Sequence, residues 1–271
     1  MAKSRQAYPT DLNNTEQCLL EQLLPTPSQK GRPREHAYRE ILDAIFYVVR
    51  SGCAWRLLPH DFPCWKTVYT YCRRWRKDGT WERLNTALRE VVREKQERHP
   101  QPSAAILDSQ SVKTVEGGQD RGYDAGKKVT GRKRHLVVDT LGLVLIVLVT
   151  SASVQDRDGA KLVLRALFDR IKKSKVSRWC RLKLIWADGG YRGALIDWVK
   201  GTLGWTLEIV EKLGGQRGFQ VLPKRWIVER TFAWLNRSRR LGKDYERLPE
   251  TSEAFVYVAM IRLMLRRLAH A

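Results

Sequence analysis

Acidic residues are scarce in this chain: 29 Asp and Glu stand against 50 Lys and Arg, and the excess of +21 runs through all 271 residues instead of sitting in one tail. Such a balance points to a polyanionic partner, most economically nucleic acid, with a merely basic soluble or ribosome-associated protein as the plainer alternative. Cysteines are few and odd in number. Cys18, Cys53, Cys64, Cys72 and Cys180 show no CxxC spacing, so neither a disulfide framework nor a zinc site is supported. Long apolar runs are missing too. The longest, Leu143 to Val149, is far too short to span a bilayer, and Met1 to Gln22 has no apolar core of the secretory kind. The expectation is a cytosolic protein with no membrane partner. What the chain does have is ten Trp and 43% hydrophobic residues, which argue for a folded body over a disordered basic arm. Its length gives room for one large domain, or for one of about 180 residues plus a smaller one.

Residues 37–51, "AYREILDAIFYVVRS", set Ile41, Ile45, Phe46 and Val49 at helical spacing, and Gly52 stops the helix. After a connection broken by prolines, "CWKTVYTYCRRWRKDGTWERL" resumes a helical pattern. It turns Trp65, Val68, Tyr69, Cys72 and Trp75 inward and Lys66, Arg73, Arg74, Arg76 and Lys77 outward. This unit is either a helix-turn-helix, with Arg and Lys on phosphates and a helix in the major groove, or a small bundle with a solvated basic face. "EVVREKQERHPQPSA" reads as a helix end and a linker. The boundaries expected are a helical domain over 1–95, a linker over 96–103 and a second domain over 104–271.

Beyond the linker the texture changes to strands. "AAILDSQSV", "RKRHLVVDT" and "GLVLIVLVTSA" are three strands. A helix, the strand "RLKLIWADGGY", a second helix, the short strand "WTLEIV" and a closing helix within 221–246 follow. The order βββαβαβα predicts an α/β fold, a mixed sheet with helices on its faces.

Two of these strands end in an acid: Asp108 in "ILDSQ" and Asp188 in "IWADGGY". A lone ionised carboxylate where a buried strand emerges costs several kcal/mol unless it is paired or bound to a cation. Either Asp taken singly also reads as a turn cap. Together with Glu229 on the closing helix they form the parts of a two-metal phosphoryl-transfer site, in which two Mg²⁺ about 4 Å apart hold the attacking and leaving oxygens. A helical advance of about 100° per residue brings Arg225, Glu229, Asn236 and Arg240 onto one face. There Arg225 either holds a DNA strand beside the acid or forms an ordinary pair with Glu229 within the helix. Asp139 reads as a hairpin-turn residue and Asp158 as an N-cap, and neither these nor Asp156 has a strong claim to metal. The stretch "GGQDRGYDAGKKVTGRKRH" offers Lys127, Lys128, Arg132, Lys133 and Arg134, which suit phosphate contact or a solvated loop equally.

Over nearly the whole chain, "ILDSQSVKT", "GRKRHLVVDTLGLVLIVLVTSASVQDRDGA", "WADGGYRG" and "RWIVERTFAWLNRSRRLGKDYE" resemble the bacterial insertion-sequence-5-type transposases of the DDE superfamily. The resemblance implies an RNase H-like catalytic domain behind a small helical N-terminal domain, and the cutting and joining of DNA at transposon ends. It makes Asp108, Asp188 and Glu229 the catalytic, metal-holding acids. Of the related signature Tyr-x2-Arg-x3-Glu-x6-Lys, Arg225 and Glu229 match, while Leu222 stands for the Tyr and Asn236 for the Lys. Arg237 and Arg240 are the candidates to replace the phosphate contact of that Lys.

The expectation is a DNA transposase that binds terminal repeats through Lys66, Arg73 and Arg74 and further contacts DNA through Arg225, Arg237, Arg240, Lys133 and Arg134. It would use two Mg²⁺, with Mn²⁺ able to substitute. Its partners would be the double-stranded DNA of the transposon ends and target and further copies of itself, as a homodimer or higher oligomer on DNA. It would work in the bacterial cytoplasm in association with the nucleoid. The alternatives are a metal-dependent nuclease that does not join strands and a non-catalytic DNA-binding protein derived from a transposase.

Overall fold

The computed structural model describes residues 5–26, 34–115, 117–173, 181–210 and 224–270. Four helices come first: α1 (Asn14–Glu21), α2 (Tyr38–Ser51), α3 (Trp65–Lys77) and α4 (Thr80–Lys95). Asn13 opens α1 with a capping box: its side chain accepts from the Glu16 N–H, and the Glu16 carboxylate accepts from the Asn13 N–H. Gly52 closes α2 at φ 77°, where a Cβ would meet the Cβ of Arg239 at 3.0 Å, so both the backbone conformation and the packing require glycine.

The sheet follows. β1 (Ala104–Lys113), β3 (Val129–Asp139) and β4 (Val144–Ser151) are antiparallel neighbours, and a short β2 (Gly122–Asp124) extends the β4 edge of β3. After α5 (Asp156–Lys173), β5 (Leu184–Ala187) pairs parallel with β1 on its other side; α6 (Ala194–Trp198) leads to β6 (Thr206–Ile209), which pairs parallel with β5. The helices α7 (Trp226–Asn236), α8 (Arg239–Gly242) and α9 (Pro249–Ala269) complete the chain. The expected mixed sheet is therefore present, with β2, α8 and α9 added to the order read from the sequence.

Strand periodicity splits the core into two. In β1, Ala105 and Leu107 face one way, onto α5 and α6, while Ile106 faces the other way. On that second face, one continuous apolar body joins Val68, Trp75 and Trp81 of the N-terminal helices to Val144 and Val147 of β4, Val228 and Phe232 of α7, and Phe255, Ile261 and Met264 of α9. The N-terminal helices thus share a core with the sheet. The stretch 96–103 is bound down in the same way: Arg93 donates to the carbonyl of His99 at 2.8 Å, and Arg89 to the carbonyl of Pro100 and the side chain of Gln101. Asn85, fully buried on α4, donates to the Val144 carbonyl at 2.8 Å. Tyr69, expected inside, is 41% exposed on α3. Among the described residues no helix is long and apolar enough to cross a membrane, and Cys18, Cys53, Cys64 and Cys72 are free thiols.

Candidate active site and nucleic-acid interface

β1 and β5 run parallel, and the register that pairs Ala104 with Leu184 and Ile106 with Trp186 carries on to Asp108 and Asp188. The two residues therefore stand side by side, Asp188 just past the end of β5 and Asp108 in the middle of β1, which runs on to Lys113 and does not end at the acid as its sequence suggested. Each takes one local N–H. Asp108 Oδ1 accepts from Ser109 at 2.7 Å, and Asp188 Oδ1 accepts from Gly190 at 2.9 Å, so the Asp188 turn cap and its place in the cluster coexist. Burial pushes the Asp108 carboxyl up to about 6. Asp188 adds to that rise, while the Ser109 N–H, Arg225 and Lys127 oppose it.

Glu229 comes from the first turn of α7, with its side chain about half exposed at 52%. Between it and Asp188 stands Arg225, whose Nη2 lies 3.3 Å from Glu229 Oε1 and 3.7 Å from Asp188 Oδ2. The guanidinium is thus the local counter-charge of two of the three acids, a role beyond the simple i,i+4 pair expected on the helix. Arg225 thus lies within ion-pair reach of both Asp188 and Glu229, and the charges of Asp188 and Arg225 act on Asp108.

Around Asp108 lies a layer of polar groups, of which the sequence did not single out Ser109 and Tyr191. Ser109 Oγ donates to Asp156 at 2.8 Å, and Lys127 Nζ donates to the Ser109 carbonyl at 3.2 Å. The Tyr191 hydroxyl is buried here, and burial together with Asp108 and Asp156 holds its pKa well above the ordinary value. Asp156 begins α5, so Asp158 sits inside the first turn and is not its N-cap.

Three expected phosphate contacts turn inward. Lys133 is buried and bridges Asp124 at 3.2 Å and Asp156 at 2.9 Å. Arg134 is buried and donates to the Leu241 carbonyl at 2.8 Å. α7 stops at Asn236, so Arg240 does not continue the Glu229 face; it is buried, pairs with Glu246 at 2.7 Å and donates to the Cys53 carbonyl. These are interior charges turned toward protein partners, with Arg134 Nε and Nη2 left unbonded, and they have no surface to offer a DNA strand. Arg132 is also buried, paired with Asp244 at 3.2 Å. Lys127, Lys128 and Arg237 remain on the surface, as do Lys66, Arg73 and Arg74 on α3. Beside the α3 cations lie Trp65, with Arg56 and Lys66 over its ring, and the exposed Leu57 and Tyr69. Leu222 lies outside the described residues.

Three carboxylates with no nitrogen or sulfur donor suit a hard divalent cation, and the Asp108 pKa is raised first by burial and then by the charge of Asp188, both of which a cation would offset. In chemistry the residues fit such an ion. In geometry Asp108 and Asp188 lie on neighbouring strands, whereas Arg225 stands between Asp188 and Glu229. Among the described residues no group of three His, Cys, Asp or Glu side chains is close enough to hold an ion as placed.

Residues 99–265 match the family model described as "Transposase DDE domain", and residues 12–85 match the one described as "Putative transposase of IS4/5 family". Two curated proteins of Burkholderia cepacia are similar. "Putative transposase for insertion sequence element IS402" is 33% identical over 134 residues, 46% of this chain and 59% of that protein. "Insertion element IS402 uncharacterized 16.2 kDa protein" is 31% identical over 110 residues, 38% of this chain and 74% of that protein. No solved structure matches.

Proposed function

We propose, from the fact that the chain belongs to the family of transposases with a DDE domain, that it binds the ends of an insertion sequence and catalyses cleavage and strand transfer there. The family carries the RNase H-like fold, acts on DNA and depends on divalent metal. The finer reading is that Asp108 and Asp188 hold Mg²⁺, or Mn²⁺ in its place, with Glu229 as the third acid. The observation that carries it is the register of β1 and β5, which sets Asp108 beside Asp188 with Arg225 and Glu229 facing them.

When bound, two such ions supply charge neutralisation at the attacking and leaving oxygens of the phosphodiester. The chain's own residues do the rest by positioning. The Ser109 N–H fixes one Asp108 oxygen and the Gly190 N–H one Asp188 oxygen, so each carboxylate presents its remaining oxygen to the site. Arg225 has a planar fork that suits a phosphate of the strand being cut. Water attacks first, and the freed 3′-OH then attacks target DNA. End recognition falls to α3, where Lys66, Arg73 and Arg74 are exposed beside aromatic rings, with Arg237 as a further phosphate contact. The working form is a homodimer or higher oligomer on DNA.

The position of Arg225 between Asp188 and Glu229 is the one feature that favours a non-catalytic DNA-binding descendant of a transposase. Incubating the protein with its flanking genomic DNA and Mg²⁺ and mapping the nicks discriminates. Nicks at the element boundaries with joined products support the transposase, nicks without joining support a nuclease, and binding without nicks supports the descendant.

A further inference from the structure

A cleft of about 570 Å³ opens where the ends of α4 and α9 meet α7. Lys95, Arg230, Arg266, Arg267 and His270 line it over an apolar floor that includes Leu141 and Leu263, and no acid is among its lining residues. Two of its cations are held rigidly. The Arg230 guanidinium lies 4.3 Å from the ring centre of Trp226 and 4.5 Å from that of Trp234, and Arg267 of α9 lies 4.3 Å from Trp234. Arg230 also donates to the Leu141 carbonyl at 3.1 Å. Arg266 donates to the Pro9 carbonyl, and the acid that acts on it, Glu16, is already bound by Arg262 at 2.6 Å. The carbonyl bonds of Arg230 and Arg266 orient these two side chains without neutralising them. Burial and then the charge of Arg230 lower the Arg267 pKa, and the acid that opposes this, Asp139, is already bound by Arg93 at 2.7 Å. Arginines gathered with their nearby acids, Asp139 and Glu16, engaged elsewhere favour an external anion.

The shape decides which anion. Trp226, Arg230 and Trp234 succeed one another by single turns, so the ladder runs about 12 Å along α7. Trp226 stands only about 60° round the helix from Glu229. A single phosphate ion spans neither the ladder nor the cleft beyond it, whereas about 12 Å matches three to four nucleotides of one strand. We propose that the α7 ladder and the α9 cleft bind the phosphodiester backbone of the duplex continuing past the cut site, a DNA surface separate from α3. This rests on the reading of the chain as a transposase.

The test uses the full chain in EDTA, with duplexes that carry an element end or a scrambled sequence, and titrates binding against salt. Arg266 is exposed, so Arg266→Glu alters the charge at the surface of the cleft, and Arg267→Gln tests the ladder. Each should weaken binding to both duplexes alike, Arg266→Glu by about tenfold or more, and lower the slope of log K against log salt by about 0.9 for each phosphate no longer neutralised. A hydroxyl-radical footprint should lose protection on one side of the cut while protection by α3 persists. Unchanged affinity and slope for Arg266→Glu, or a loss confined to the end sequence, overturns the proposal. Should Arg267→Gln melt early, Arg266→Glu alone decides. A wild type that binds neither duplex overturns the DNA reading itself, and the cleft assignment with it.

Discussion

Replacing Asp108 by Asn is expected to stabilise the chain when divalent cations are withheld. Burial is the main reason that its carboxyl is lifted from 3.8 to about 6; Asp188 raises it further, and the Ser109 N–H, Arg225 and Lys127 pull the other way. A carboxyl whose folded pKa exceeds its unfolded value binds its proton more tightly in the folded state. Its ionisation therefore destabilises the fold. Nothing is lost below about pH 4, the loss grows between about pH 4 and 6, and it is complete above. The whole difference corresponds to roughly 3 kcal/mol, an upper figure because the side chain is partly open to screening solvent. Asn keeps the shape and the acceptor for the Ser109 N–H while removing the charge. For a chain of this size 1 kcal/mol moves the melting temperature by roughly 2–4 °C, so several degrees of stabilisation are expected at about pH 7.5 and none at about pH 4. Thermal melts of both proteins in EDTA at the two pH values make the comparison. Adding Mg²⁺ should then stabilise the wild type and leave the variant unmoved. An Asp108→Asn protein that melts at or below the wild-type temperature at about pH 7.5 would refute the claim that this carboxylate is held charged against its surroundings.

Other perturbations follow from the packing. Arg93→Ala leaves the fully buried Asp139 carboxylate without its cation and should cost about 3–5 kcal/mol in urea unfolding; a loss below about 1 kcal/mol would contradict the pairing. Asp139 also accepts the N–H groups of Leu141 and Leu143, so its substitution is no neutral control for catalysis. Deleting residues 1–95 strips the N-terminal helices from the core they share with β4 and α9, and the remainder should aggregate or bind a hydrophobic dye; a monomeric, sharply melting 96–271 fragment would show two independent bodies. Arg225→Lys keeps the charge but loses the fork, and should reduce nicking at least tenfold, since an ammonium and a guanidinium do not hold phosphate alike; near-normal nicking would make Arg225 only a partner of the acids.

The strands and their acids were legible because the signal is local. Asp108 and Asp188 each end an apolar run, and the turn residues after Asp188 mark where the strand leaves the sheet. α9 was not legible: its buried side includes Phe255, Val256, Tyr257, Val258, Met260 and Ile261 in near succession, so no polar stripe gives it a helical period. The inward turn of Lys133, Arg134 and Arg240 was hidden for a different reason. Basic runs such as "RKRH" look like solvated or phosphate-binding surface until their partners are known, and those partners, Asp124, Asp156, the Leu241 carbonyl and Glu246, come mostly from other elements that the fold brings together. Lys66, Arg73 and Arg74 carried the same ambiguity, and their exposure on α3 keeps them available.

The central claim is that Asp108, Asp188 and Glu229 act as one site. The most direct measurement compares wild type with Asp108→Asn, Asp188→Asn and Glu229→Gln on duplexes carrying an element end in Mg²⁺, with binding and nicking followed in the same samples. The account predicts that each variant binds the end at least as tightly as wild type, because a charge repelling phosphate is gone, while nicking and strand transfer both disappear. A folded Asp108→Asn protein that still nicks the end in Mg²⁺ would contradict it.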